Sequence, residues 1–232
     1  MNKTTEHNQI PINFSFCNAK TLDNYISGEN KHLIKALKEF AKNNHGQLIY
    51  LFGEKSTGKS HLCKAVFDII EDTKILVNQH NFETLSDIDL QNINYLILDD
   101  FEIILEKGNN EDTLFYYINE FIISKKSLLI SSINSTEQIT FTKKDLKSRL
   151  TSNLIFNIKE ISDERKVEVL KNITEDIGWT IEEKVCQYIM YHYRRDLFFL
   201  CNVLKSIDEN SLALKKKVTI PFVKSIIERF HS

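Results

Sequence analysis

The sequence predicts an α/β fold: a parallel five-stranded sheet followed by a small all-helical domain. Three observations point there. Five short apolar runs rich in β-branched residues alternate with amphipathic helical stretches as far as about residue 160. A glycine loop, Gly53-Glu-Lys-Ser-Thr-Gly58-Lys59-Ser60, joins the first run directly to a helix. Beyond residue 160 the pattern is helical only. Continuous apolar strands alternating with helices belong to parallel sheets covered on both faces. The length agrees, since 232 residues at roughly 150 per domain make one large domain with an appendage.

Taken in order, residues 1–15 are polar and lack helical periodicity, which marks a flexible tail. A helix over Lys31–Lys42 sets Leu33, Ile34, Leu37 and Phe40 on one face, with lysines opposite. Strands are predicted at Gln47–Phe52, Lys74–Asn78, Asn94–Leu98, Ser127–Ser132 and Asn153–Ile158, with helices at Lys59–Ile70 and Glu111–Ser124. In the second part, Ser162 caps a helix whose first turn carries Asp163 and Glu164. Thr180-Ile-Glu-Glu183 reads as a capping box for the next helix. A third lies near Asp196–Asp208, and a last runs from Pro221 to Phe230. The expected organisation is a tail over 1–15, an α/β domain over 16–160 and a helical domain over 161–232.

Composition excludes several classes. Thirty Lys and Arg against 32 Asp and Glu give a formal charge of −2, which argues against a dedicated basic nucleic-acid binder. With 42% apolar and 27% charged residues, wholesale disorder is excluded. No apolar run approaches the roughly 18 residues of a spanning helix, and the N-terminus lacks a secretory core, so a cytoplasmic protein is expected. Cys17, Cys63, Cys186 and Cys201 are scattered and read as reduced thiols, not as a disulfide framework or zinc site. Only 6 glycines occur, so their positions are informative.

The loop Gly53–Ser60 satisfies G-x-x-x-x-G-K-[ST] at every fixed position, between a strand and a helix as the motif requires. Glycines allow the backbone to wrap a polyphosphate, so that the N–H groups of Ser56, Thr57 and Gly58 and the helix N-terminus point at it. Lys59 is placed to reach the β- and γ-phosphates, and the Ser60 hydroxyl to hold Mg²⁺. The strand Tyr95-Leu-Ile-Leu ends in Asp99-Asp100. Asp99 is expected to orient the Mg²⁺. Asp100 is placed either to polarise an attacking water or to cap the following helix. His61 follows the loop as a packing or capping residue. Lys143, Lys144 and Lys147, like the Lys215–Lys217 run, read as solvated.

At this point the chain resembles the AAA+ ATPases of the DnaA group, and within it the branch that inactivates the initiator. Thr21–Asn30, with Tyr25 and Ile26, is similar to the segment leading to that group's adenine pocket. Leu51–Leu62 resembles its phosphate loop, including the His61-Leu62 that follows. Leu128–Asn134 is similar to the sensor strand, Asp145–Leu150 to the segment carrying an arginine finger, and Val218–Ile227 to the last lid helix. Gln9-Ile10-Pro-Ile12-Asn-Phe14 resembles the hexapeptide by which replication proteins of this kind hold the DNA sliding clamp. Such a peptide sets Gln9 in a polar niche and Ile12 and Phe14 in an apolar groove.

The resemblance implies ADP or ATP with Mg²⁺ at Gly53, Ser56, Thr57, Gly58, Lys59, Ser60, His61, Asp99, Tyr25, Ile26 and Asn134. It implies Arg149 as a finger acting in trans; without it, Arg149 reads as a helix-end cation. Its implied function is negative regulation of replication initiation: docking on the sliding clamp, promoting hydrolysis of DnaA-bound ATP, and meeting DNA only indirectly. Its own ATPase would be weak or absent, no membrane is involved, and self-assembly into a homo-oligomer is compatible. The chain departs from the group at Phe198, which stands where a lid sensor arginine is usual, with Arg194 and Arg195 just upstream. It also has no room after the lid for a helix-turn-helix domain. An autonomous AAA+ ATPase such as a helicase loader, or a small-molecule kinase, shares the loop and is the alternative expectation.

Overall fold

The computed structural model describes residues 21–23, 25, 30–43, 45–55, 57–107, 110–194, 197–214 and 218–228. The tail residues Gln9, Ile10, Ile12 and Phe14, together with Ile26 and Ser56, lie outside the described residues.

Helix α1 (Lys31–Lys42) precedes strand β1 (Leu48–Phe52), helix α2 (Lys59–Ile69) and strand β2 (Lys74–Val77). Two 3₁₀ turns lead to β3 (Tyr95–Leu98), then α3 (Phe101–Glu106), α4 (Glu111–Ile123), β4 (Ser127–Ser132), α5 (Lys144–Thr151) and β5 (Leu154–Asn157). The five strands are parallel in the order β2-β3-β4-β1-β5. Four helices follow: α6 (Asp163–Asp176), α7 (Glu183–His192), α8 (Leu197–Leu214) and α9 (Ile220–Ile227).

Alternation along the strands builds the two sides. Leu48, Tyr50, Leu96, Leu98, Leu128 and Ile130 meet Leu114, Ile118 and Phe121 of α4 and Leu146 and Leu150 of α5. Their neighbours Ile49, Leu51, Ile97 and Leu129 meet Leu33, Leu37 and Phe40 of α1 and Leu62, Cys63 and Val66 of α2. Both sheet faces are thus covered, which is why the strands read as continuous apolar runs. Helices α6–α9 gather a separate core around Leu170, Val185, Ile189, Leu204 and Val223.

Four details differ from expectation. Helix α3 was hidden in the sequence because its six residues are too short for a clear period. Helix α7 begins at Glu183 with Glu182 at its N-cap, so the box from Thr180 does not form. The Glu183 carboxylate is bound instead by Lys171 and by Gln187 Nε2. Helix α8 continues to Leu214 through Asn210 and Ser211, whose side chains bond back to the carbonyls of Ser206 and Asp208. Helix α9 starts at Ile220, with Pro221 in its first turn. Among the described residues no helix is long and apolar enough to cross a membrane, and no cluster of three metal-binding side chains forms. Cys63 and Cys186 are free, buried thiols.

Candidate nucleotide site

Strand β1 sits where the strand order turns, between β4 and β5, which is the place where open α/β sheets bind ligands. The loop leaves it at Gly53, whose N–H donates to Ser132 O at 3.3 Å. A Cβ at Gly53 would lie 2.5 Å from Ile158 O, so only glycine fits between the loop and the end of β5. Gly58 opens α2 at φ +93°, a left-handed conformation natural to glycine, and a Cβ there would lie 2.7 Å from Tyr25 Cε2.

Tyr25 closes over this turn, its hydroxyl donating to Thr57 O at 3.1 Å. Burial, partly opposed by a hydrogen bond with Asn30, pushes the Tyr25 phenol up to about 12, so it stays neutral. His61 Nε2 pairs with Thr21 O at 2.8 Å, and its ring lies 5.6 Å from that of Tyr25. Thr21 and Tyr25 are therefore bound to the loop and its helix.

Lys59 is only 7% exposed, and its ammonium donates to Gly53 O at 2.6 Å and Glu54 O at 2.7 Å. Burial lowers its pKa, against the raising effect of Glu102, Asp100 and Asp99. A buried cation, two positions closed to any Cβ and the N-terminus of an 11-residue helix converge here. That donor set suits a polyphosphate, whose oxygens would replace the two loop carbonyls around Lys59.

From the neighbouring strand β3, Asp99 arrives 7% exposed, with Oδ1 accepting from Ser131 Oγ and from Asp100 N at 3.2 Å. Asp100 takes a left-handed φ of +57° at the N-cap of α3. Its carboxylate makes no capping hydrogen bond, so it holds the cap position without the cap chemistry. Burial, then the charges of Asp99 and Glu102, raises its pKa, with Lys59 opposing. This is the direction a general base needs. Ser60, itself exposed, follows Lys59 in the first turn of α2.

Strand β4 lies between β3 and β1, so its end stands between Asp99 and the loop. Asn134 follows there, half-buried. Ser131 is engaged by Asp99, while the Ser132 hydroxyl accepts from Asn134 N at 3.2 Å. Two further residues meet here that no sequence motif marks, Tyr50 and Glu102. Tyr50 is a fully buried strand residue, and Glu102 is a 6% exposed carboxylate on α3. The only available signal was a charge at Glu102 inside an otherwise apolar Phe101–Leu105 run.

Arg149 stands apart from this cluster, in the last turn of α5. Its guanidinium lies 5.6 Å from the Phe115 ring centroid, and it is partly exposed. Lys143 lies over the same ring at 5.5 Å and pairs with Asp112 at 2.6 Å. In the helical part, Arg194 stacks on Phe199 at 6.0 Å. Arg195 and the Phe198 side chain lie outside the description.

Sheet order, phosphate loop, paired aspartates and an attached helical unit define an AAA+ protein. Residues 72–157 match the bacterial DnaA ATPase domain, and residues 163–227 match the lid domain of Hda. The chain belongs to the DnaA and Hda group of AAA+ proteins. An uncharacterized protein of Haemophilus influenzae is 28% identical over 226 residues, covering 94% of this chain and 98% of its own. Domain III of the Thermotoga maritima replication initiation protein DnaA superposes with a TM-score of 0.78 at 17% identity, over 91% of this chain and 96% of that one. AMPPCP-bound DnaA from Aquifex aeolicus gives a TM-score of 0.65 at 20% identity, over 80% of this chain and 64% of that one.

Proposed function

We propose that this DnaA-related protein is a negative regulator of replication initiation. The observation that carries the reading is an Hda-type lid at 163–227 joined to a DnaA-type ATPase domain with an intact phosphate loop. In this reading residues 16–160 form the nucleotide-binding domain and 161–232 the lid. The site binds an adenine nucleotide, a class supported by the AMPPCP-bound DnaA neighbour, and ADP is the expected resident. Lys59 and the loop N–H groups take the phosphates, Ser60 and Asp99 hold Mg²⁺, and Tyr25 closes the rim.

The tail hexapeptide Gln9–Phe14 docks on the sliding clamp, and Arg149 is presented to ATP bound on DnaA. A guanidinium at a γ-phosphate stabilises the charge of phosphoryl transfer, so the initiator's ATP is hydrolysed. Partial exposure at the end of α5 suits a residue that must meet another chain.

The test adds the protein to ATP-loaded DnaA with and without DNA-loaded clamp and measures phosphate release. Stimulation that requires the clamp, and falls at least a hundredfold in Arg149→Ala, is expected. Stimulation left intact by Arg149→Ala would remove the finger role. The autonomous ATPase reading draws on the raised pKa and uncapped carboxylate of Asp100. It predicts hydrolysis by the isolated chain, indifferent to clamp.

A further inference from the structure

The turn Ile133–Asn134 is held from two directions by side chains outside the phosphate loop. Tyr50, three residues before Gly53 on β1, donates its hydroxyl to Asn134 O at 2.9 Å. Glu102, three residues after Asp99, accepts from Ile133 N at 3.0 Å through Oε2. Phe101, next to Glu102 in sequence and fully buried, packs its ring edge-on against Tyr50 at 6.3 Å.

Glu102 Oε1 is buried and has no hydrogen-bond partner among the described residues. An unmatched buried carboxylate oxygen is destabilising, a cost set against the bond that Oε2 accepts from Ile133 N. Burial, the larger influence, raises the Tyr50 phenol and lowers the Lys59 ammonium, while the Glu102 charge raises both.

We propose that Tyr50 and Glu102 are positioning residues that fix the Ile133–Asn134 turn between the phosphate loop and the Asp99–Asp100 turn, and so set discrimination between nucleoside triphosphate and diphosphate. The inference rests on the nucleotide-site reading above. Both holds act on the backbone of the Ile133–Asn134 turn, and their effect passes through it. Loss of either hold lets the turn drift and removes the distinction while leaving diphosphate binding in place.

Equilibrium binding of ADP and of AMPPCP, each with Mg²⁺, is measured for the full chain and for Tyr50→Phe, Glu102→Ala and Glu102→Gln, with folding checked by circular dichroism. Tyr50→Phe and Glu102→Ala are each expected to move the AMPPCP-to-ADP affinity ratio about tenfold toward one, with the ADP affinity within about twofold of wild type. Glu102→Gln keeps an acceptor for Ile133 N–H and is expected to restore most of the ratio. Equal losses for both nucleotides, an unchanged ratio, no rescue by glutamine or a wild-type ratio of one would each overturn the positioning role. A wild-type chain that binds neither nucleotide, with Lys59→Ala no different, would overturn the nucleotide-site reading itself.

Discussion

At the residue scale, the site depends on backbone conformations that side chains resist. Gly58 combines a φ of +93° with Tyr25 pressed against the place of a Cβ. Gly58→Ala should cost ~1–2 kcal/mol from the left-handed conformation alone. That corresponds to a melting temperature lower by roughly 2–8 °C, with nucleotide affinity reduced as Tyr25 is displaced. Asp100 is the opposite case, a charged residue in a left-handed turn. Its carboxyl is raised from the ordinary 3.8, so the folded state holds the proton more tightly than the unfolded chain. The associated stability is complete below pH 3.8 and is lost as pH rises through the folded value. Asn tolerates the same φ without the charge. Asp100→Asn should therefore raise the melting temperature near pH 7, with the gain fading toward about pH 4 in a series of thermal scans.

At the element scale, α4 fastens the segment that carries Arg149. Glu111, first residue of α4 and 8% exposed, accepts from Thr142 N at 3.1 Å, from the Thr142 hydroxyl and from Lys143 N at 2.7 Å. Burial would raise its pKa, but these bonds outweigh it and hold the carboxyl below the ordinary 4.5. Its contribution is thus present above pH 4.5 and lost as pH falls through the folded value. Glu111→Ala should cost ~1–3 kcal/mol in denaturant unfolding at neutral pH. It should also weaken any Arg149-dependent stimulation, because Thr142 and Lys143 lead directly into α5. Helix boundaries show what was readable at this scale. Lys31–Lys42 and Ser127–Ser132 agree with expectation residue for residue, since apolar periodicity there is uninterrupted. The Thr180 capping box failed because Lys171, twelve residues from Glu183, captures its carboxylate, a contact that only helix packing creates.

At the scale of the whole molecule, ligand linkage offers a direct measurement. Binding confined to the folded state stabilises it by about 2.7 kcal/mol at a hundredfold excess over Kd. Saturating ADP with Mg²⁺ should therefore raise the melting temperature by roughly 5–11 °C, and Lys59→Ala should abolish the shift. Lys59 illustrates the division between sequence and structure. Its place in the loop followed from eight residues of local pattern, because a phosphate loop is built from consecutive backbone groups. Fold class, the five parallel strands, the loop and the family resemblance were all legible for the same reason: periodicity and short motifs are local. What only the tertiary structure decided is the company these residues keep. Sheet order β2-β3-β4-β1-β5 sets the end of β4 between β1 and β3. That brings Tyr50, Ser131, Glu102 and Asn134 together from segments up to 84 residues apart. Burial then gives Glu102 and Asp100 their electrostatic meaning, and neither burial nor sheet order is written in any single stretch of chain.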